Sequence, residues 1–254
     1  MARRSKPMHG DLGADSWSDC PVRNTLASTI WSLCLAVLCL APGRARADGD
    51  AEAWLWVETR TPLARAEDGH AWLQLRTFAD ARLATSTNGV DNLFLRVGPI
   101  FDVAPWWFVA VHGTVQADQT AGRGFDTEVR AELEPNLRFR LGDFAFNDRN
   151  RAEYRYRLRS DNTTRESIRY RNQLRIAYAP AAQWWVPFLW DELLIDSIDG
   201  VHQNRLTGGM GFVIAPKTRL DLGYMLRTRD TKDGWEHDHV LLLYLFIDVP
   251  DVAP

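Results

Sequence analysis

The stretch FDTEVRAELEPNLRFRL, residues 125–141, changes character at every step. Phe125, Thr127, Val129, Ala131, Leu133, Pro135, Leu137, Phe139 and Leu141 share one parity, and Asp126, Glu128, Arg130, Glu132, Glu134, Asn136, Arg138 and Arg140 share the other. Successive side chains of a strand point to opposite faces, so this period of two predicts a long strand with one apolar and one charged face. Gly142-Asp143 is a tight-turn dipeptide. Beyond it, Phe144, Phe146, Ala152, Tyr154, Tyr156 and Leu158 alternate with Arg149, Arg151, Glu153, Arg155, Arg157 and Arg159, which makes one long hairpin.

The same patterning predicts strands over residues 54–60, 72–79, 92–101, 107–118, 168–178, 185–196, 203–213, 218–228 and 239–249. Together with the hairpin they number eleven. Short links at residues 104–107, 142–143, 179–183 and 214–218 alternate with longer polar ones at 117–124, 160–166, 197–202 and 229–237. That asymmetry is the habit of an outer-membrane barrel, whose bacterial forms carry an even number of strands. Ten strands are expected if 54–60 is not a full strand, and twelve if residues 80–91 hide another.

The first fifth of the chain reads differently. The apolar run TLASTIWSLCLAVLCLA follows Arg23 and is followed by PGRARA. A basic flank, an apolar core and small residues at the third and first positions before a cut, Ala45 and Ala47, describe a secretory signal peptide over residues 1–47, with the barrel over 48–254. The n-region is long, so the true start could lie downstream of Met1. A retained signal anchor is the competing reading, since the run approaches the ~18 residues of a spanning helix. A lipoprotein modified at Cys39 is disfavoured by Leu38. Cys20, Cys34 and Cys39 all precede the cut, so the mature chain offers no disulfide, thiolate metal site or thiol nucleophile. Removing residues 1–47 takes away six basic and three acidic residues and leaves 24 against 30, an acidic balance that argues against a nucleic-acid partner.

Alternation alone does not say which face is inside. Trp106-Trp107 and Trp184-Trp185 adjoin short turns, and Trp54, Trp56, Trp190 and Trp235 lie near strand ends. That placement is expected of aromatic girdles at two water interfaces. HVLLLYLF, from His239, puts Leu242, Tyr244 and Phe246 on one face, like the terminal strand that barrel-insertion machinery reads, although IDVPDVAP follows it.

The C-terminal third, PFLWDELLIDSIDGVHQNRLTGGMGFVIAPKTRLDLGYMLRTRD from Pro187 and then HDHVLLLYLF, resembles a bacterial family catalogued as domain of unknown function 2490. The resemblance rests on Trp190, Glu192, Gln203, Asn204, Arg205, Gly209, Gly211, Leu220, Leu222, Gly223, Tyr224, His239, Val240 and Leu241, with Asp238 where asparagine is usual. It implies an outer-membrane β-barrel and brings no activity or catalytic residues.

With the apolar face on lipid, the lumen collects Arg130, Arg138, Arg140, Arg149, Arg151, Arg155, Arg157, Arg159, Arg169, Arg171, Arg175, Arg205, Arg219 and Arg227. Asp118, Asp126, Glu128, Glu132, Glu134, Glu153, Glu192 and Asp221 share that face. Guanidinium stays charged and pairs with carboxylates through two parallel hydrogen bonds. One expectation is a self-satisfied plug. The other is an anion-favouring wall of Arg155, Arg157, Arg159, Arg169, Arg171 and Arg175, with Glu128, Glu132, Glu153 and Glu192 as partners, passing small anionic solutes.

The expected fold is therefore an all-β, antiparallel up-and-down transmembrane barrel of 10 to 12 strands. Its expected partners are outer-membrane lipid and the insertion machinery, with no cofactor and no catalytic residue. Two rivals stay open: a barrel enzyme acting on lipid, and a soluble periplasmic barrel with an apolar ligand inside, which would invert every face. For the first, Ser197 with His202 is the nearest pairing to a hydrolytic site, and His237 with His239 the nearest to a metal site.

Overall fold

A computed structural model describes residues 50–249, apart from residues 88, 121–123 and 181–182. The leader expected over residues 1–47, with its three cysteines, lies outside the described residues. The remainder is all strand: β1 (Ala51–Ala64), β2 (Leu73–Ala84), β3 (Gly89–Ala104), β4 (Trp107–Thr120), β5 (Gly124–Leu141), β6 (Phe144–Leu158), β7 (Thr164–Tyr178), β8 (Trp185–Asp196), β9 (Gly200–Ala215), β10 (Thr218–Thr231) and β11 (Gly234–Asp248). Each pairs with its sequence neighbour and the sheet closes on itself as β1-β11-β10-β9-β8-β7-β6-β5-β4-β3-β2.

Closure settles the strand number. In a meander, odd strands all run one way, so an eleven-strand barrel can close only by laying its first strand parallel to its last. Here β1 and β11 pair in parallel from Ala51↔His239 to Arg60↔Asp248, while the other neighbours are antiparallel. The even count expected above gives way to eleven. Residues 54–60 are the middle of a full strand, and residues 80–91 are the end of β2, a turn and the start of β3. The start of β1 and the end of β11 consequently lie at opposite mouths.

The expected contrast between short and long links also changes, because strand alternation runs on into the polar segments. Of residues 229–237, only Lys232 and Asp233 stand outside strands. The connection of residues 65–72 is the longest, and it shares a mouth with the Gly142-Asp143 turn. Gly142 has φ 58, which suits a two-residue hairpin. Gly98 is required for another reason: a Cβ there would sit 2.0 Å from the Val111 carbonyl oxygen of the neighbouring strand β4.

The two faces of the sheet are sorted by polarity. Leu93, Leu95, Val97, Val111, Val115, Val129, Leu133, Leu189, Leu206 and Leu241 are exposed on the outside. Glu128, Glu132, Glu134, Arg151, Glu153 and Glu192 are buried inside, at 0–3% exposure. The barrel is therefore not the inverted arrangement with an apolar interior. One outward patch breaks the apolar surface: Asp148, Asn150 and Asn172 bond one another on β6 and β7, and Asn204 donates to Asp191 (2.9 Å) between β9 and β8.

Two aromatic expectations are corrected. Trp54, Trp56 and Trp190 face the barrel interior, not a girdle: Trp54 and Trp190 are buried with Phe188, Met225, Val240 and Leu242, and Trp56 packs against them. Trp106, Trp184, Trp185 and Trp235 do lie exposed at the mouths. In β11 the row Leu242, Tyr244, Phe246 faces inward, where Tyr244 donates to Glu58 and the Arg60 and Arg219 guanidinia stand over the Phe246 ring. The outward row of that strand is Leu241, Leu243 and Leu245. All of these residues are apolar or aromatic, so the two parities of β11 look alike in the sequence.

Candidate functional site: an arginine-rich lumen

Alternation on β5, β6 and β7 sends Arg and Glu of equal parity into one interior, and strand spacing of about 4.8 Å brings neighbours within pairing distance. Several buried carboxylates serve more than one guanidinium. Glu153 accepts from Arg169 Nε (2.8 Å) and Arg171 Nη1 (3.1 Å). Glu192 accepts from Arg149 Nη2 (2.6 Å), Arg171 Nη2 (2.7 Å) and Arg205 Nη1 (3.1 Å). Glu128 takes both Nε and Nη2 of Arg155 (2.8 Å each) and also pairs with Arg130 and Arg157. Glu132 pairs with Arg96 (2.7 Å) and accepts from Thr114 (2.8 Å).

Other pairs reach across the lumen. Arg76 of β2 bridges Glu58 of β1 (2.7 Å) and Glu134 of β5 (2.9 Å), and Glu134 also accepts from Arg151 Nε (2.6 Å). Arg155 reaches Asp196 on β8, and Arg175 reaches Asp221 on β10, each at 2.9 Å. Removing one member of such a pair strands a charge in a poorly solvated interior, which is the costly direction.

Of the residues expected in the lumen, Arg130, Arg151, Arg169, Arg171, Arg205, Glu128, Glu132, Glu153 and Glu192 are buried in it, and Arg149, Arg155, Arg157 and Arg175 line it partly exposed. Arg138 lies toward a mouth, on Asp102 (3.0 Å). Arg140 and Arg159 are corrections. Arg140 is exposed at the end of β5 and donates to the Ala179 carbonyl, and Arg159 is exposed in the turn after β6.

The expected tally of acids was also short. Glu52, Glu58, Asp80, Asp102, Asp196 and Asp238 point inward too, as do Arg60, Arg76, Arg82, Arg96 and Arg229. The signal was weak because β1 carries tryptophans between its acids on the inner face (Glu52, Trp54, Trp56, Glu58), so no polar/apolar alternation is visible there.

A cavity of about 210 Å³ remains inside. Thirteen arginines and three carboxylates, Asp118, Glu192 and Asp221, line it, and many of those arginines are paired with Glu58, Glu128, Glu132, Glu134, Glu153 and Asp196 around it. Several guanidinia are stacked on rings: Arg96 stands 4.7 Å from the Phe94 centroid, Arg175 4.4 Å from Phe188, and Arg82 3.8 Å from Trp54. The surface of the cavity is thus rich in guanidinium groups, most of them paired with a carboxylate.

The residues considered for catalysis are engaged elsewhere. Ser197 Oγ accepts from the Ile168 amide (3.0 Å), while His202 turns to the Gly200 carbonyl (3.4 Å). His237 contacts Thr228 and His239 contacts Tyr224 on the outer surface.

A family model described as "Protein of unknown function (DUF2490)" matches residues 51–238. No curated protein and no solved structure matches the chain.

Proposed function

The chain belongs to the DUF2490 family, and from that premise and its geometry we propose that it is an outer-membrane barrel enclosing a narrow, passive route that favours small anions. The observation that carries this reading is the arginine-lined cavity inside a barrel whose outer surface is apolar. An exposed apolar belt of this extent is unfavourable in water and matched to hydrocarbon. Rings of arginine set anion preference in pores. Export by the expected leader, insertion by the barrel-assembly machinery and contact with outer-membrane lipid belong to the same proposal, which assigns no catalytic residue and no cofactor.

The test is bilayer conductance of the refolded chain. Replacing Arg155, Arg157 and Arg171 together with glutamine should move the reversal potential toward cations in a salt gradient. Unchanged selectivity in a conducting variant would remove these residues as the filter. A second reading, a sealed structural barrel, draws on the cross-lumen bridges Arg76–Glu134, Arg155–Asp196 and Arg175–Asp221. It predicts no conductance above the bare bilayer.

A further inference from the structure

The walls of the lumen cavity are not alike. On the side formed by β1, β2, β3 and β11, Trp56 meets Phe78 and Tyr244 edge-on at 5.7 and 5.4 Å, and Phe78 meets Phe94 at 5.6 Å, giving a continuous aromatic surface. In a ring of eleven strands, β6 and β7 stand opposite β1. These supply Arg149, Arg155, Arg157, Arg169 and Arg175 to the same cavity.

The arginines of that second wall share their carboxylates with one another and with neighbouring strands, although Arg155 and Arg157 also hold Asp196 and Asp118. Glu128 is shared by Arg130, Arg155 and Arg157, and Glu192 by Arg149, Arg171 and Arg205. A guanidinium has five N–H donors. Arg149 and Arg175 each direct only Nη2 to a carboxylate, leaving donors to spare. On the aromatic wall, Trp56 Nε1 is buried with no hydrogen-bond partner.

We propose that this cavity binds a single-ring aromatic carboxylate, with the carboxylate on the β6–β7 arginines and the ring on the Trp56–Phe78–Phe94–Tyr244 wall. Size supports one ring: an apolar cavity of about 150 Å³ accepts benzene, and this one, at about 210 Å³, has room for an added carboxylate. Charge excludes cations, and the aromatic wall separates this guest from fully hydrated anions. The inference deepens the anion-route reading by naming the class of solute, but the site itself needs no through-flow.

The experiment is calorimetric titration of the folded, detergent-solubilised chain with benzoate, acetate and benzyl alcohol. Benzoate is expected to bind at least tenfold more tightly than either of the others. R149Q/R175Q should weaken benzoate at least tenfold, and F78L/F94L should bring benzoate and acetate to similar affinities. A boiling-dependent gel shift of each variant confirms that it is folded. Equal binding of benzoate and acetate would overturn the proposal by making the ring irrelevant, and equal binding of benzyl alcohol would overturn it by making the charge irrelevant. No benzoate binding by a chain that still conducts anions would overturn the site and leave the route standing. Benzoate binding by a chain that does not conduct would uphold the site and remove the route.

Discussion

Substituting Glu192 with glutamine should be among the most damaging conservative changes in the barrel. The side chain is 1% exposed and holds three guanidinia, those of Arg149 (2.6 Å), Arg171 (2.7 Å) and Arg205 (3.1 Å). Glutamine keeps the shape and removes the charge. Arg171 retains Glu153, but Arg149 and Arg205 have no other carboxylate partner among the described residues. Two cations would thus be left in a poorly solvated interior. Each pair is worth about 4 kcal/mol at 4 Å and an effective dielectric of 20, most of which offsets desolvation already incurred on folding. Breaking one side of a buried pair typically costs about 3–5 kcal/mol.

With an unfolding slope of roughly 2 kcal/mol per molar urea, the midpoint should fall by about 2 M. The assay is the fraction of unboiled, fast-migrating band across a urea series in detergent. E192Q/R149Q should recover part of the loss, because one stranded cation goes with it; contacting residues show such coupling at about 0.5–3 kcal/mol. A midpoint within ~0.5 M of wild type for E192Q, with m near that value, would refute the claim that these arginines depend on Glu192.

Three further outcomes follow from other parts of the molecule. G98A should cost about 2–3 kcal/mol in the same assay, since the added Cβ meets the Val111 carbonyl and the His112 Cα, backbone atoms that cannot rotate away; a neutral effect would show that β3 and β4 can separate there. D191L/N204L should stabilise the barrel in bilayers by about 1–2 kcal/mol if the outward patch faces lipid, and a loss of folding or stability would mean that it faces protein. Partial burial pushes the Asp50 carboxyl up, but hydrogen bonds from Ser86 and Thr85 outweigh this and hold it below the ordinary aspartate range. Its contribution is therefore present above the unfolded value, about 3.9, and is lost as pH falls through the lower folded value. D50N should accordingly narrow the gap in urea midpoint between pH 6 and pH 3, and an unchanged gap would deny Asp50 that role.

How much of this was legible in the sequence depends on which wall is considered. On β5, β6 and β7 one face is charged and the other apolar, so parity alone gives the strands and groups most of the arginine wall on one face; aromatic placement and the family resemblance are what turn that face inward. On β1, β8 and β11 both faces carry apolar side chains: Trp54, Trp190 and Leu242 inside, Leu55, Leu189 and Leu241 outside. There, period two is invisible, and the tryptophans read as girdle residues. The alternation holds eleven strands, and only the even number habitual in bacterial barrels argues for ten or twelve. What the sequence hides is the closure, a parallel β1–β11 seam linking residues nearly two hundred positions apart. The cross-lumen bridges were hidden for the same reason: Arg175 and Asp221 meet only because the sheet curls round.

The face assignment underlies every other statement, and it can be measured directly. The mature chain expected to follow residue 47 carries no cysteine, so single cysteines at Leu95, Leu133 and Leu241, each exposed on the outer surface, can be nitroxide-labelled in protein reconstituted into bilayers. The account predicts relaxation by oxygen, which concentrates in hydrocarbon, far stronger than by a water-soluble nickel chelate at all three. Preferential relaxation by the nickel chelate, or a labelled chain that stays folded in water without lipid, would contradict it.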